Sequence, residues 1–502
     1  MDAKYKSLKE DFVSNLSGGS VWEMNLVTLV APASVLLWSV LQSRKRAFTP
    51  YTIEACLTDC LLNCGAILFV TTIYSGYPAA LNAFLLLPAL VTYFSSPVKS
   101  EAGKPRPTPI RTGDGNAEKD ETGIEKAPEQ LPMKPFLTAY RGSMLVVTAV
   151  GILAVDFKVF PRRFAKVENW GTSLMDMGVG SFVFSGGLVS ARSILREQLS
   201  GRKSSLLQRL RASLWHSLPL LVLGAIRLFS VKGLDYAEHV SEYGVHWNFF
   251  FTLGLLPPFM ALFQSMFDIL PSYSVLAILV ACVYQSALDS TELTAFILTA
   301  PRTDLFSQNR EGIFSFAGYL AIFLAGLGTG MYVLPRRAPP VPPWLRWLFP
   351  FDSVFGRLAT WSIFWTILFS ASTSYDLGGL EVSRRLANLP YVLWVSAFNT
   401  AQLTLFCGIE GSCFRDLHNS KIKDAALERK KAKEATSRVL YAFNRNGLAL
   451  FLLANLLTGL VNMTLPTLHM GNLQAMGVLV AYMGVMSAVA LALDAWNISV
   501  KI

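Results

Sequence analysis

Charge is what this chain has least of. Only 16% of its 502 residues are Asp, Glu, Lys or Arg, where a soluble domain carries about a quarter, while 52% are hydrophobic and the mean hydropathy is +0.41. That balance excludes a soluble globular enzyme and predicts an all-α, polytopic integral membrane protein. Cysteine is sparse too. Six cannot make a dense disulfide framework, and Cys56, Cys60 and Cys64 recur every four residues along one helical face, where small soft side chains pack. The five histidines form no His-Glu-x-x-His pair, and none is followed by Asp at the His-x4-Asp spacing of glycerolipid acyltransferases. There is no phosphate-binding Walker loop and no Gly-x-Ser-x-Gly elbow, so no metal and no bound cofactor is expected. The net charge of +10 belongs to loops flanking membrane spans and does not call for nucleic acid.

What is present is apolar runs. Thirteen segments of roughly 18–22 residues can span a bilayer: 23–42, 54–74, 78–95, 137–155, 173–191, 213–230, 248–267, 273–289, 313–333, 355–374, 390–408, 446–465 and 473–495. The polar start Met1-Asp-Ala-Lys-Tyr-Lys carries no cleavable signal pattern. If the N-terminus is lumenal, 30 of the 44 Lys and Arg fall in cytosolic segments and 12 in lumenal ones; Arg141 and Arg227 lie within spans. The positive-inside rule therefore predicts a lumenal N-terminus and a cytosolic C-terminus. The sequon Asn15-Leu-Ser17 agrees, making Asn15 a candidate glycosylation site. The 96–135 loop, rich in Pro, Gly, Glu and Lys, reads as a disordered cytosolic linker, and the basic 409–445 loop reads as cytosolic and in part helical.

The chemistry is expected on the lumenal side, where basic residues are least usual. Asp156, Arg162, Arg163, Lys166 and Trp170 sit between the fourth and fifth spans. Further segments carry His246 and Asn248, Asn309 and Arg310, and Arg384 and Arg385. Arg forks phosphate oxygens, so this set suits a substrate with phosphates and apolar tails at the membrane surface. An Asp at a span end can take a proton from an attacking hydroxyl, and a Lys beside it can orient it or steady an oxyanion. An Asp–Lys or Asp–Arg pair that only ties a loop down has the same spacing. Within the membrane, Arg141 and Asp176 are costly alone and are expected to pair with each other or with lipid headgroups. Gly178, Gly180, Gly186 and Gly187 allow close helix contact.

These residues lie in longer runs: Leu137-Thr-Ala-Tyr-Arg-Gly; Asp156-Phe followed by Phe160-Pro-Arg-Arg-Phe-Ala-Lys-Val-Glu; Trp170-Gly-Thr-Ser-Leu-Met-Asp-Met-Gly-Val-Gly-Ser; Glu242-Tyr-Gly-Val-His-Trp-Asn-Phe-Phe; Asn309-Arg-Glu-Gly-Ile-Phe-Ser-Phe; Val382-Ser-Arg-Arg-Leu-Ala-Asn-Leu-Pro-Tyr; and Thr458-Gly-Leu-Val-Asn-Met. In this order they resemble the family of the fungal GPI-anchored wall transfer protein and its animal counterpart, the class W phosphatidylinositol-glycan protein. The resemblance implies a membrane O-acyltransferase of the endoplasmic reticulum. It would move a long acyl group, palmitoyl by preference, from acyl-CoA as co-substrate to the inositol ring of glucosaminyl-phosphatidylinositol. It implies that Asp156 and Lys166 carry catalysis; of the five histidines, His246 is the best-placed alternative base. The substrates would meet Arg141, Arg162, Arg163, Trp170, Asp176, Val179, Asn248, Asn309, Arg310, Arg384 and Arg385. A lipid or solute transporter and a sugar N-acetyltransferase are the competing readings.

Overall fold

The computed structural model describes residues 3–95, 131–201, 204–233, 240–264, 272–340, 346, 353–374, 379–415, 417 and 425–500. In a bilayer every backbone N–H and C=O must find a partner within the protein, and a long apolar run meets that demand as a helix. Twelve helices among the described residues are long and apolar enough to cross: Val21–Lys45, Ile53–Thr71, Pro78–Ser95, Pro135–Ala154, Leu174–Ser200, Leu206–Phe229, Tyr273–Ser290, Arg310–Val333, Val354–Thr373, Leu389–Cys413, Gly447–Thr464 and Asn472–Ala495. Each coincides with a span read from the sequence.

The remaining expected span, 248–267, differs. Its described helix is Phe249–Phe263, of 15 residues with Pro257 and Pro258 inside. At 1.5 Å per residue it covers about 22 Å, short of the roughly 30 Å hydrocarbon layer. Most of the linker expected at 96–135 lies outside the described residues. In the 409–445 stretch the chain forms helices Ala425–Glu434 and Arg438–Arg445.

The centre of the bundle is the pair Leu174–Ser200 and Arg310–Val333. Their contact depends on glycine at both sides. A Cβ on Gly187 would collide with the Phe323 carbonyl, and one on Gly326 with that of Phe184. Gly180 meets Val395 in the same way, while Gly178 faces open space. Pro78–Ser95, Leu206–Phe229 and Gly447–Thr464 lie outermost, with most of their surface uncovered by protein. Leu456, Leu460 and Met463 are accordingly exposed, as lipid-facing residues should be.

Polar segments gather at the two ends of the bundle. At one end, residues 9–20, 156–173, 242–248, 302–311, 381–388 and 462–469 touch one another. At the other, the Phe136 amide donates to Glu410, Arg336 pairs with Glu428, and buried Asp59 accepts from Ser437 and Asn63. The sequence-read loops thus sort into the two groups that alternate crossing requires.

Candidate functional site

The site is built where helix Pro135–Ala154 ends. Val155 closes the helix, and the Asp156 and Phe157 amides bond back to Leu153 and Ala154. The last carbonyls of a helix lack partners within it. Arg162 supplies them by folding back, its Nη2 donating to the carbonyls of Val155 (2.8 Å), Phe157 (3.2 Å) and Phe160 (2.9 Å). Its guanidinium stacks 3.8 Å over the Phe12 ring. Phe157, Phe160 and Phe164 are fully buried and plug the loop into the bundle. Two glycines pin its far end. Gly18 and Gly171 have φ of +80° and +133°, and their backbones press against Thr172 and Ser17. The Gly19 amide donates to the Thr172 carbonyl at 2.8 Å, and that of Gly171 to Val382 at 2.8 Å. The catalytic candidates therefore sit on a braced loop.

Asp156 is half-buried. Its Oδ2 accepts from Asn462 Nδ2 at 2.7 Å, and Lys9 Nζ donates to Asn462 Oδ1 at 2.8 Å. Burial raises the Asp156 carboxyl above the usual carboxylate range, while the Asn462 bond and the charges of Lys9 and Arg162 oppose that rise. The helix face that ends in Asp156 continues downward as Ile152, Thr148 and Leu145. With Ala149, Phe443, Leu450, Phe451 and Met486 these line a narrow apolar crevice with room for about one water molecule.

Lys166 does not bond to Asp156. Its Nζ lies 2.9 Å from Glu242 Oε1 and 3.0 Å from Oε2. Glu242 faces Arg384 at 3.8 Å, and Arg384 Nε donates to Asp176 Oδ1 at 2.5 Å. Asp176 is fully buried; its Oδ2 also accepts from Ser173 Oγ at 2.6 Å and from the Val167 amide at 3.0 Å. The expected pairing of Asp176 with Arg141 is therefore replaced by Asp176–Arg384. Asp176 sits at the other end of the membrane span from Arg141, and the loop after Val382 brings Arg384 over it.

The remaining arginines are largely committed to protein partners. Buried Glu311 receives Arg302 (2.5 Å) and Arg385 (3.0 Å), with Arg310 at 3.8 Å. Arg385 also donates to Asn169 Oδ1 at 2.6 Å, and Arg310 to the Ile297 carbonyl at 2.8 Å. Arg163 pairs with Glu23 at 2.7 Å. Asn309 Oδ1 accepts from the His246 and Trp247 amides, and Asn248 caps helix Phe249–Phe263. These two asparagines hold backbone turns. His246 Nε2 lies 3.1 Å from Gln308 Oε1. Trp170 is 37% exposed beside Asn169, and half-buried Val179 packs into the core. Asn15 is exposed in a left-handed turn, its amide donating to Glu168. Arg141 lies far from this end; its Nε donates to Ser185 Oγ at 3.1 Å.

Sequence reasoning missed Asn462, Lys9, Glu242 and Glu311. Asn462, Glu242 and Glu311 stood within motif runs, yet nothing in their spacing said which distant residue they meet. No group of His, Cys, Asp and Glu among the described residues could hold a metal ion.

A bundle of membrane-crossing helices, closed at one end by a braced polar cap around a half-buried carboxyl, defines a multi-pass membrane protein. The GWT1 family model matches residues 5–493. The chain is 55% identical over 510 residues to GPI-anchored wall transfer protein 1 of Aspergillus oryzae, covering 100% of both chains. It is 56% identical over 514 residues to that of Gibberella zeae, covering 100% of this chain and 99% of the other. It is 40% identical over 517 residues to that of Saccharomyces cerevisiae, covering 99% of each. The chain belongs to the GWT1 family.

Proposed function

We propose that this protein works in GPI-anchor biosynthesis as an acyl-CoA-dependent inositol O-acyltransferase of the endoplasmic reticulum membrane, with the Asp156 end toward the lumen. Family membership over nearly the whole chain supports the pathway. The observation that carries the chemistry is Asp156, a half-buried carboxyl with a raised pKa just past the end of helix Pro135–Ala154, held by one neutral hydrogen bond from Asn462. A base is most effective when its pKa approaches the working pH, and burial moves Asp156 in that direction.

In the proposed reaction an inositol hydroxyl of glucosaminyl-phosphatidylinositol attacks the thioester carbonyl of palmitoyl-CoA. Asp156 accepts the hydroxyl proton as the C–O bond forms. The C–S bond then breaks, and the proton passes to the departing coenzyme A thiolate. Lys166 stands in the same loop, held by Glu242, and steadies the carbonyl oxygen as negative charge collects on it. Asp176 and Arg384 are positioning residues. They anchor the start of helix Leu174–Ser200 to the loop that carries Lys166.

The test is release of coenzyme A thiol by purified protein, given palmitoyl-CoA with and without glucosaminyl-phosphatidylinositol. Thiol release that requires the glycolipid and yields an ester-linked acyl-inositol is expected. Glycolipid-independent release, an N-acylated glucosamine, or no release would overturn the reading.

A further inference from the structure

Helix Ala3–Val13 is not one of the membrane-crossing helices, yet it lies across the Asp156 end of the bundle. Tyr5, Lys9 and Phe12 recur at helical spacing and share one face. Each touches a different part of the surroundings of Asp156. The Tyr5 hydroxyl accepts from the Leu468 amide at 3.2 Å, and its ring lies 5.4 Å from that of His469. Phe12 lies against the Arg162 guanidinium at 3.8 Å. Lys9, between them, donates from Nζ to Asn462 Oδ1 at 2.8 Å, with its ammonium 5.5 Å from the Tyr5 ring. One helix face thus bridges the two segments that flank Asp156: the 462–469 stretch and the loop after helix Pro135–Ala154.

The direction of the bonds matters. An ammonium only donates, so the Asn462 atom facing Lys9 is the amide oxygen, and the amide nitrogen is left to face Asp156. There it donates to Oδ2 at 2.7 Å. Oδ1 accepts no hydrogen bond from any described residue, so it is the carboxylate oxygen left for an incoming hydroxyl. Two cations act on this carboxylate, Lys9 and Arg162. Arg162 Nη2 is committed to the carbonyls of Val155, Phe157 and Phe160. Lys9 forms no ion pair among the described residues, and its one hydrogen bond goes to the amide that holds Asp156. Without that donor the Asn462 amide can turn its oxygen toward Asp156. An acceptor in that place favours the protonated carboxyl, which is no base.

We propose that helix Ala3–Val13 is part of the active site and that Lys9 is a positioning residue: it fixes the Asn462 amide, which holds Asp156 Oδ2 and leaves Oδ1 to take the proton of the attacking hydroxyl. This deepens the acyltransferase reading and rests on it. Lys9 acts through Asn462 and does not touch the substrate.

The test is the pH profile of kcat for full-length wild-type and variant protein in nanodiscs, each profile normalised to its own maximum so that the fraction of folded protein does not enter. Lys9→Met should move the acidic limb up by about one pH unit, since both the lost charge and the freed amide favour the protonated carboxyl. The KM for the glycolipid should stay near wild type. Lys9→Gln keeps a donor without the charge and should move the limb less, and Lys9→Arg should restore most of it. Lys9→Met combined with Asn462→Ala should shift the limb by less than the sum of the single shifts, because the two residues act on Asp156 as one unit. His469 is the other titratable group against this helix face besides Tyr5, and the Lys9→Met shift should persist in a His469→Gln background. A limb that stays put in Lys9→Met, shifts that simply add, or a shift that vanishes with His469 overturns the proposal. A raised glycolipid KM with an unmoved limb would make Lys9 a substrate contact and overturns it too. Wild-type protein that releases no thiol would refute the acyltransferase reading, a separate outcome.

Discussion

Two carboxylates twenty residues apart, Asp156 and Asp176, have opposite surroundings. Asp176 is sealed, with every strong contact supplied by the protein: the Arg384 guanidinium, the Ser173 hydroxyl and the Val167 amide. Asp156 is half-buried, accepts one neutral hydrogen bond from Asn462, and has its cations, Lys9 and Arg162, bonded elsewhere. A carboxylate locked in a short ion pair is a poor proton acceptor, because protonation must break the pair. One that is desolvated and only lightly held gains readily from taking a proton. The comparison supports a structural part for Asp176 and the proposed proton acceptor at Asp156, although the bare sequence presents both as intramembrane or edge-of-membrane acids.

The sharpest way to break that contrast is to neutralise each acid. Asp156→Asn keeps the shape and the Asn462 contact but removes the base, so kcat should fall by about 10²–10⁴ with the thermal transition near wild type. Near-wild-type turnover would refute the role. Asp176→Asn should act on folding instead. Stranding a buried Arg384 costs about 3–5 kcal/mol, read as a lowered melting temperature in detergent. A variant as stable as wild type would show that the pair is not structural. Replacing both Asp176 and Arg384 by leucine should be less harmful than either single change.

A finer test uses pH. The folded-state pKa of Asp156 is raised, so the active, ionised form appears only as pH climbs past that value, and the rate should show an acidic limb above the ordinary carboxylate range near 4. The Asn462 bond favours the charged form. Asn462→Ala should move the limb to higher pH and lower the rate most in mildly acidic buffer. A limb that stays put would mean that Asn462 does not tune Asp156. The smallest effect is expected at the rim: Arg163→Ala breaks a partly exposed pair with Glu23 and should cost no more than about 1 kcal/mol.

Much of the architecture was legible because it depends on local sequence alone. An apolar run of twenty residues has one low-energy solution in lipid. Twelve helices match the spans read from hydropathy, and the discrepant one contains two consecutive prolines and is short. The site was legible only in part. Asp156 and Lys166 could be nominated from their loop, but their partners lie 306 and 76 residues away in sequence, at Asn462 and Glu242. Arg310, Arg384 and Arg385 read as substrate contacts because cations near a membrane surface invite phosphates. In the fold their donors go to Ile297, Asp176, Asn169 and Glu311. Arg141, expected to pair with Asp176 or with a lipid headgroup, donates instead to Ser185 and meets no carboxylate among the described residues.

Sequence alone determined that this chain crosses a membrane many times, that its polar segments alternate between two sides, and to which family it belongs, since hydropathy and motif order are properties of neighbours along the chain. Only the tertiary structure decided which charges cancel and which stay available, because an ion pair is settled by distance in space, and helices hundreds of residues apart bring its members together.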